Sequence, residues 1–500
     1  MNMHYWIWYP GDFELYHAMK QNFSRVERGM GWPAYWKSEG FRNRVIFRRV
    51  YDLQSESEFT VYSDAVGYVL AGDRKYPFGK KIRCSSGKTE ISVHAACIET
   101  FPPIYIDGEE IYSDGEWMAA DYDKPPVKAG YSRYFTRLDQ KPSRWEYSER
   151  IYDPVNVTSV ANGVLYEFET ELTAALEIRC RNGFRPLTVY CGESREEALD
   201  TVHCYYSCSP DKNTGRCPRC AVRFAYIPDC SRDELEVRAV HQFIDIPVRA
   251  EFHSSDELLN RIWNVAAHTF TLCSGVFFID GIKRDKWIWS GDAYQSFFVN
   301  QYLMADPDIN RRTLLALRGN EAMTTHINTI VDYTMFWLLG VRAHYDAYGD
   351  REFVSMVRNK MTALMDFCEG QTDENGFLVG RPGDWIYIDW ADLDKEGPLC
   401  AEQMLFAQCM KTMAWMYGDR FGKSLCHAWA ASPIYLLAKY FVGLQITDGE
   451  KGEYSLEPHL EYFSFLECTL PVKDRQLNMV WDGENLTKNW FDSIEDSRIE

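Results

Sequence analysis

The 500-residue sequence predicts a multidomain protein of mixed α and β class: two N-terminal β-sandwiches, a helical domain, then a short C-terminal β segment. Three observations predict it. Up to about residue 250, short β-branched or alternating runs recur between Gly, Pro and Asp clusters, the pattern of packed antiparallel sheets. Near residue 253 the apolar period changes from that of a strand to that of a helix. After Gly443 strand and turn signals return. At about 150 residues per domain the chain accommodates roughly three units, one of them large.

The expected domains are 1–140, 141–252, 253–445 and 446–500. The first two carry runs such as Arg44-Val45-Ile46-Phe47, Phe59-Thr60-Val61-Tyr62 and Leu187-Thr188-Val189-Tyr190. A stretch poor in strand pattern, from Pro125-Pro126 to Pro142, separates them. In the third, Leu258, Leu259, Ile262, Trp263, Ala266 and Phe270 fall at helical intervals, with Ser254 or Ser255 placed to cap the start. Helical patterning recurs over 292–305, 308–318, 330–348, 351–369, 401–417 and 430–441, which makes seven helices in all. The tail, 446–500, carries strand-like segments such as Gln476-Leu477-Asn478-Met479-Val480.

Composition narrows the function. A formal charge of −19 without a long basic run argues against nucleic acid as a partner. No stretch approaches about 18 apolar residues, so no membrane-spanning helix is expected. The first ten residues lack the basic and apolar regions of a signal peptide, and the 15 cysteines are an odd number, which fits reduced thiols in a cytoplasm. The 16 Trp, 31 Tyr and 28 Phe fill cores first, but exposed rings also stack on sugar faces, which favours a carbohydrate ligand.

The densest chemistry lies in Asp280-Gly-Ile-Lys-Arg284-Asp285-Lys-Trp287-Ile-Trp289-Ser-Gly291-Asp292. Glycoside hydrolysis needs one carboxyl group as an acid and another as a base or nucleophile. Three aspartates fall here among three cations and two indoles, so that some can stay ionised while the rings exclude water. The plainer reading is a polar loop whose aspartates cap helices, Asp292 among them.

The spacing Asp280-x-x-x-Arg284-Asp285-x-x-x-Trp289-x-Gly291-Asp292 resembles the signature of the bacterial α-L-rhamnosidase family, Asp-x-x-x-Arg-Glu-x-x-x-Trp-x-Gly-Asp, at the entrance of an (α/α)₆ barrel. Residues 332–337, Pro382-Gly383-Asp384-Trp385 and Ser424-Leu425-Cys426-His427-Ala428-Trp429 resemble later landmarks of that barrel, in the family's order. Residues 110–117 resemble a segment of its accessory β-sandwich, and the likeness covers most of residues 1–445. The resemblance implies an inverting glycosidase acting on terminal α-L-rhamnose of oligosaccharides or other glycosides, with no required cofactor. It places Asp285 as general acid, and Asp280 and Asp292 on ring hydroxyls. Arg284 would orient carboxylates, Trp289, Trp337 and Trp385 would form an aromatic wall, and His427 would bond sugar hydroxyls.

Two departures matter. Asp285 stands where the family has Glu, and its side chain is shorter by one methylene, about 1.5 Å, when errors near 1 Å cost on the order of 100-fold in rate. The family's general base lies in a Gly-Ala-Thr-x-x-Trp-Glu-like segment upstream of the Ser424–His427 block, and nothing like it is present. The segment 401–417 runs through Gly418-Asp419-Arg420-Phe421-Gly422 into that block, and a barrel of twelve helices is left with seven. An incomplete barrel is the simplest account. Asp389, Asp392, Glu396 and Glu402 remain as substitute bases. Such a barrel would expose apolar helix faces and invite self-association. A weakly active or inactive enzyme is expected, the alternative being a non-catalytic carbohydrate-binding or vestigial protein.

A second cluster, Cys204-x3-Cys208-x8-Cys217-x2-Cys220, has spacing that suits a structural Zn²⁺ as well as chance clustering.

Overall fold

The computed structural model describes residues 3–23, 41–121, 124–160, 162–181, 183, 185–319, 322–388, 394–417, 437–448, 453–472 and 475–492. They fall into two compact units, residues 1–367 with 383–387, and residues 368–382 with 388–500.

In the first unit a six-stranded sheet runs in the order Val127–Lys128, Met118–Ala120, Arg44–Leu53, Gly87–Ala96, Val66–Ala71, Arg74–Tyr76. A three-stranded sheet orders Lys81–Cys84, Ser57–Tyr62, Tyr105–Gly108. Alternation explains their packing. In Ser57–Tyr62 every second residue is buried, so Phe59 and Val61 meet Val45, Phe47, Ile91 and Val93 of the other sheet in one core. Trp117 is fully buried in that core, its indole N–H donating to Tyr112 O at 2.9 Å.

Within the first domain, expected to be β, residues Asp12–Phe23 form a helix, α1. Its Phe13 joins Trp6, Trp8, Phe101, Tyr105 and Phe135 in an aromatic cluster, and this packing, not a strong helical period, holds the helix in place.

The second domain is one hydrogen-bonded sheet of seven antiparallel strands, not two separate sheets. Its longest strand, Gly163–Cys180, shifts register between Glu167 and Leu172, which lets one strand serve both ends of the sheet. A short helix α2 (Arg195–Leu199) is capped by Ser194, whose side chain accepts from Glu197 N.

The helical domain opens with α3 (Glu257–Leu272), capped by Asp256, not by the serines before it: the Asp256 carboxylate accepts from the N–H groups of Leu258 and Leu259. There follow α4 (Ser290–Leu303), α5 (Pro307–Arg318), α6 (Val331–Tyr348) and α7 (Arg351–Glu369). Gly340 on α6 lies against Phe297 of α4, where an added Cβ would sit 2.7 Å from the ring; the helices pack closely because that position has no side chain. On α3 the apolar stripe is uncovered: Leu258, Leu259, Ile262 and Val265 are between 48% and 66% exposed.

The second unit contains α8 (Cys400–Tyr417), a π-helical turn Leu437–Phe441, a hairpin of Leu444–Asp448 with Glu453–Leu456, and a sheet of Leu466–Val472, Arg475–Trp481 and Leu486–Asp492. Val442, Val472, Leu477 and Met479 form its small core. Of the seven expected helices six are present among the described residues, and most of the seventh lies outside them.

Candidate glycosidase site

The segment from Asp280 to Asp292 is a loop leading into α4, and it is tied down from several sides. Asp280 closes it on itself: Trp287 N donates to the Asp280 carboxylate at 2.9 Å, and Asp280 N donates to Trp287 O at 3.0 Å. Gln21 of α1 donates to Lys286 O at 2.6 Å, which helps hold Lys286 at φ +51°, a left-handed conformation uncommon for a long side chain. Tyr205 donates its hydroxyl to Arg284 O at 3.3 Å, and Lys283 pairs with Glu193 and Glu197 beside α2. Trp287 and Ile288 are buried beneath the loop, and Trp287 serves as its anchor.

Asn328 is a positioning residue the sequence reading did not single out. It is buried, accepts from Ser290 N at 2.9 Å and donates to Ile288 O at 3.1 Å, gripping the backbone on both sides of Trp289. Its φ of +54° is one that Asn tolerates better than most residues, the one local hint of its role.

Asp280, Asp285 and Asp292 lie close enough for their charges to act on one another. Burial pushes the Asp280 carboxyl up to about 6; the Trp287 N–H opposes this, and the charges of Asp285 and Asp292 add to it. Asp292 is an exposed residue in the first turn of α4. Protein packed on its inner side still raises its carboxyl above the ordinary range, with the Asp285 charge adding and the Tyr333 hydroxyl donating a hydrogen bond that opposes the rise. Asp285 is 5% exposed, with the Arg284 Nε 3.6 Å from its carboxylate. Arg284 itself lies largely in solvent, so this pair contributes orientation more than binding strength.

An arc of edge-on rings borders the carboxyls. Trp289 meets Tyr333 at 6.1 Å between centroids, Tyr333 meets Tyr387 at 5.5 Å, and Tyr387 meets Trp385 at 6.2 Å. The start of α6 sets this arc. Val331 N donates to Trp385 O, Trp385 N donates to Thr329 O, and Tyr387 N donates to the buried Asp332 carboxylate at 3.0 Å. Gly291 makes room for Tyr333, whose ring would lie 2.7 Å from an added Cβ.

Trp337 is not in this arc. It is fully buried, and its indole N–H donates to Leu314 O at 2.7 Å, so its expected place in the wall falls to Tyr333 and Tyr387. His427, Asp389 and Asp392 lie outside the described residues. Glu396 is exposed, and Glu402 is buried beside Cys368 and Cys409 of its own unit.

Of the four expected zinc ligands, Cys208, Cys217 and Cys220 pack in one core together with Cys191, and Cys204 stands apart. Cys204 turns its thiol to the carbonyls of Cys191 and Tyr206, at 3.4 Å each, and among the described residues no three His, Cys, Asp or Glu side chains are grouped to hold a metal ion. No helix of the described residues is long and apolar enough to cross a membrane.

Residues 45–208 match the family described as alpha-rhamnosidase-like, bacteroidetes, N-terminal, and residues 248–439 match the bacterial alpha-L-rhamnosidase 6 hairpin glycosidase domain. No curated protein matches the sequence. Among solved structures, a rhamnosidase from Klebsiella oxytoca with rhamnose bound is similar at 18% identity and a TM-score of 0.49, over 62% of this chain and 73% of that one. A GH78 family rhamnosidase of Bacillus sp. GL1 is similar at 15% identity and 0.47, over 82% and 54%. The Streptomyces avermitilis α-L-rhamnosidase complexed with L-rhamnose is similar at 12% and 0.42, over 79% and 48%. The chain thus spans about half the length of the last two. With both family matches in chain order and together covering most of its length, this chain belongs to the bacterial α-L-rhamnosidase family of six-hairpin glycosidases.

Proposed function

We propose that the Asp280–Asp292 site binds a terminal α-L-rhamnosyl residue and hydrolyses its glycosidic bond slowly, with inversion and with Asp285 as proton donor. The observation that carries this reading is the convergence of three carboxyl groups beside the ring arc from Trp289 to Trp385. Ionised Asp280 and Asp292 accept hydrogen bonds from ring hydroxyls, the indoles cover an apolar sugar face, and Asp285, with Arg284 alongside, protonates the departing oxygen. Arg284 adds a donor beside Asp285, and the family likeness assigns His427 a hydrogen bond to the sugar hydroxyls. An inverting reaction also needs a base about 6.5–9.5 Å from the acid.

The slow rate follows from the short acid and from the absence of the family's base segment in the sequence. We take an internal part of the barrel to be missing at the junction of 417 and 423, a reading the uncovered stripe on α3 supports. That stripe also favours self-association, and it favours as a second reading a protein that binds rhamnosides without turning them over. The fourteen free cysteines among the described residues support a reducing, cytoplasmic setting.

Binding should depend on pH in a stated direction. The Asp280 carboxyl titrates near 6, so it is neutral below that and ionised above. A charged acceptor is worth about 1 kcal/mol more than a neutral one, or roughly fivefold in affinity. Calorimetric titration with L-rhamnose is expected to show affinity rising about threefold from about pH 5 to about pH 7, and a flatter profile in Asp280→Asn. A wild-type affinity that is level across that interval removes Asp280 from the binding set.

A further inference from the structure

A cavity of about 270 Å³ lies within the first unit, lined by Ile282 and Lys286 of the site loop but by none of its aspartates. Its lining departs from the balance of the whole chain. The sequence carries 73 Asp and Glu against 54 Lys and Arg, yet no carboxylate lines the cavity, whereas Lys20 of α1, Arg219 and Lys286 do. The Arg219 guanidinium lies 4.6 Å from the centre of the Tyr147 ring and donates to Gln242 O at 3.2 Å; Lys20 lies 5.5 Å from the centre of the Tyr16 ring. Neither forms an ion pair among the described residues. Glu149, which accepts from Gln242, is paired with Arg216. Thr173 adds a second sign of a polar occupant: it is 5% exposed, it lines the cavity, and its hydroxyl has no hydrogen-bond partner among the described residues. The other hydroxyls nearby are committed, that of Ser274 to Phe270 O at 2.7 Å and that of Thr271 to Ala267 O at 2.8 Å. A buried hydroxyl left unpaired is costly, so a group that accepts from it is favoured there.

We propose that this cavity binds a small aromatic carboxylate, its ring against Trp145, Tyr147 and Phe243 and its carboxylate between Arg219 and the Thr173 hydroxyl. Strand pairing brings those two polar groups together. Thr173 stands opposite Ala221, two residues from Arg219, so both side chains leave the same face of the sheet as diagonal neighbours. A guanidinium stacked on a ring keeps its N–H groups in plane, a fork that matches a carboxylate. Charge selects an anion, because cations drawn out of water without a partner are destabilising and an acidic ligand offsets that. Volume and walls select a ring, because the space far exceeds an inorganic ion and approaches the roughly 300 Å³ at which small-molecule pockets begin. The two imidazoles of the lining add no charge at neutral pH. His17 donates to Pro142 O at 2.8 Å and His241 to Thr173 O at 3.0 Å, and burial lowers both, His17 to about 3.

The occupant would lie against Lys286, whose carbonyl Gln21 holds and whose neighbour in the chain is Asp285. An effect of the carboxylate on rhamnoside binding would rest on the function proposed above, whereas occupation of the cavity does not.

Calorimetric titration of the whole chain with benzoate near neutral pH is expected to show saturable binding, with benzamide, its neutral counterpart, and inorganic sulfate each bound about tenfold more weakly or worse. Arg219→Gln should weaken benzoate about tenfold and Thr173→Val several-fold. Lys20→Gln, on exposed α1 and outside the sheet, should weaken it about threefold and keeps the test open if the sheet variants misfold. No benzoate uptake by the folded protein, benzamide or sulfate bound as tightly as benzoate, or an unchanged affinity in folded Arg219→Gln or Lys20→Gln overturns the proposal. Displacement of benzoate by L-rhamnose would put it in the Asp280–Asp292 site and overturns it as well. A protein that binds benzoate and takes up no L-rhamnose keeps the carboxylate site and loses the function proposed above.

Discussion

Asp285→Asn is expected to slow hydrolysis of methyl α-L-rhamnoside by about 10²–10⁴-fold while leaving L-rhamnose affinity within a few-fold. The reasoning starts from the leaving group. A methoxide cannot depart without a proton, so removing the donor removes most of the acceleration. Nitrophenolate departs unassisted, so the same variant should lose far less on 4-nitrophenyl α-L-rhamnoside. Asparagine matches aspartate in shape, and Asp285 is held on a loop fixed by Asp280, Gln21 and Tyr205, so the substitution should leave the binding side undisturbed. Because wild-type turnover is expected to be slow, both substrates are followed with enzyme in excess. Equal losses on the two substrates would remove the proton-donor role, and a lost affinity would make Asp285 a binding residue instead.

Trp337→Ala and Trp385→Ala are expected to fail in opposite ways. Trp337 is fully buried, and truncation leaves a cavity and removes the indole's hydrogen bond to Leu314 O, so unfolding should become easier by about 3–5 kcal/mol in a denaturant titration. Trp385 is 42% exposed at the end of the ring arc, and its truncation should change stability by only about 0.5 kcal/mol. That variant should instead weaken L-rhamnose binding several-fold. A Trp337→Ala protein with wild-type stability would contradict the buried assignment. Unchanged rhamnose affinity in Trp385→Ala would take the indole out of the sugar site.

The contrast between these two tryptophans shows what a sequence can and cannot tell. Both stand in segments that resemble the family's landmarks in order, but which ring joins the arc depends on how α6 turns against α5, a tertiary matter. Helix starts were local enough to be readable at α3 and α4 to within a few residues, because capping and apolar period act over one turn. Helix α1 was not, since its hold comes from distant aromatic partners, Phe101 and Phe135. The thiol cluster failed for the same reason. Spacing offered Cys204, and strand pairing across the sheet brought Cys191 instead. Asn328 was hidden because its role is to hold backbone 40 residues away from it.

The most direct measurement is calorimetric titration of the folded protein with L-rhamnose, D-glucose as the control sugar, on wild type and Asp292→Asn. Asp292 accepts from Tyr333 and opens to solvent, so it can reach a ring hydroxyl without holding the fold together. Saturable binding of L-rhamnose but not D-glucose, weakened about tenfold or more in Asp292→Asn at unchanged stability, is the predicted result. A folded wild type that takes up no L-rhamnose, or an Asp292→Asn protein that binds it as tightly as the wild type does, would contradict the assignment of this stretch as a rhamnoside site.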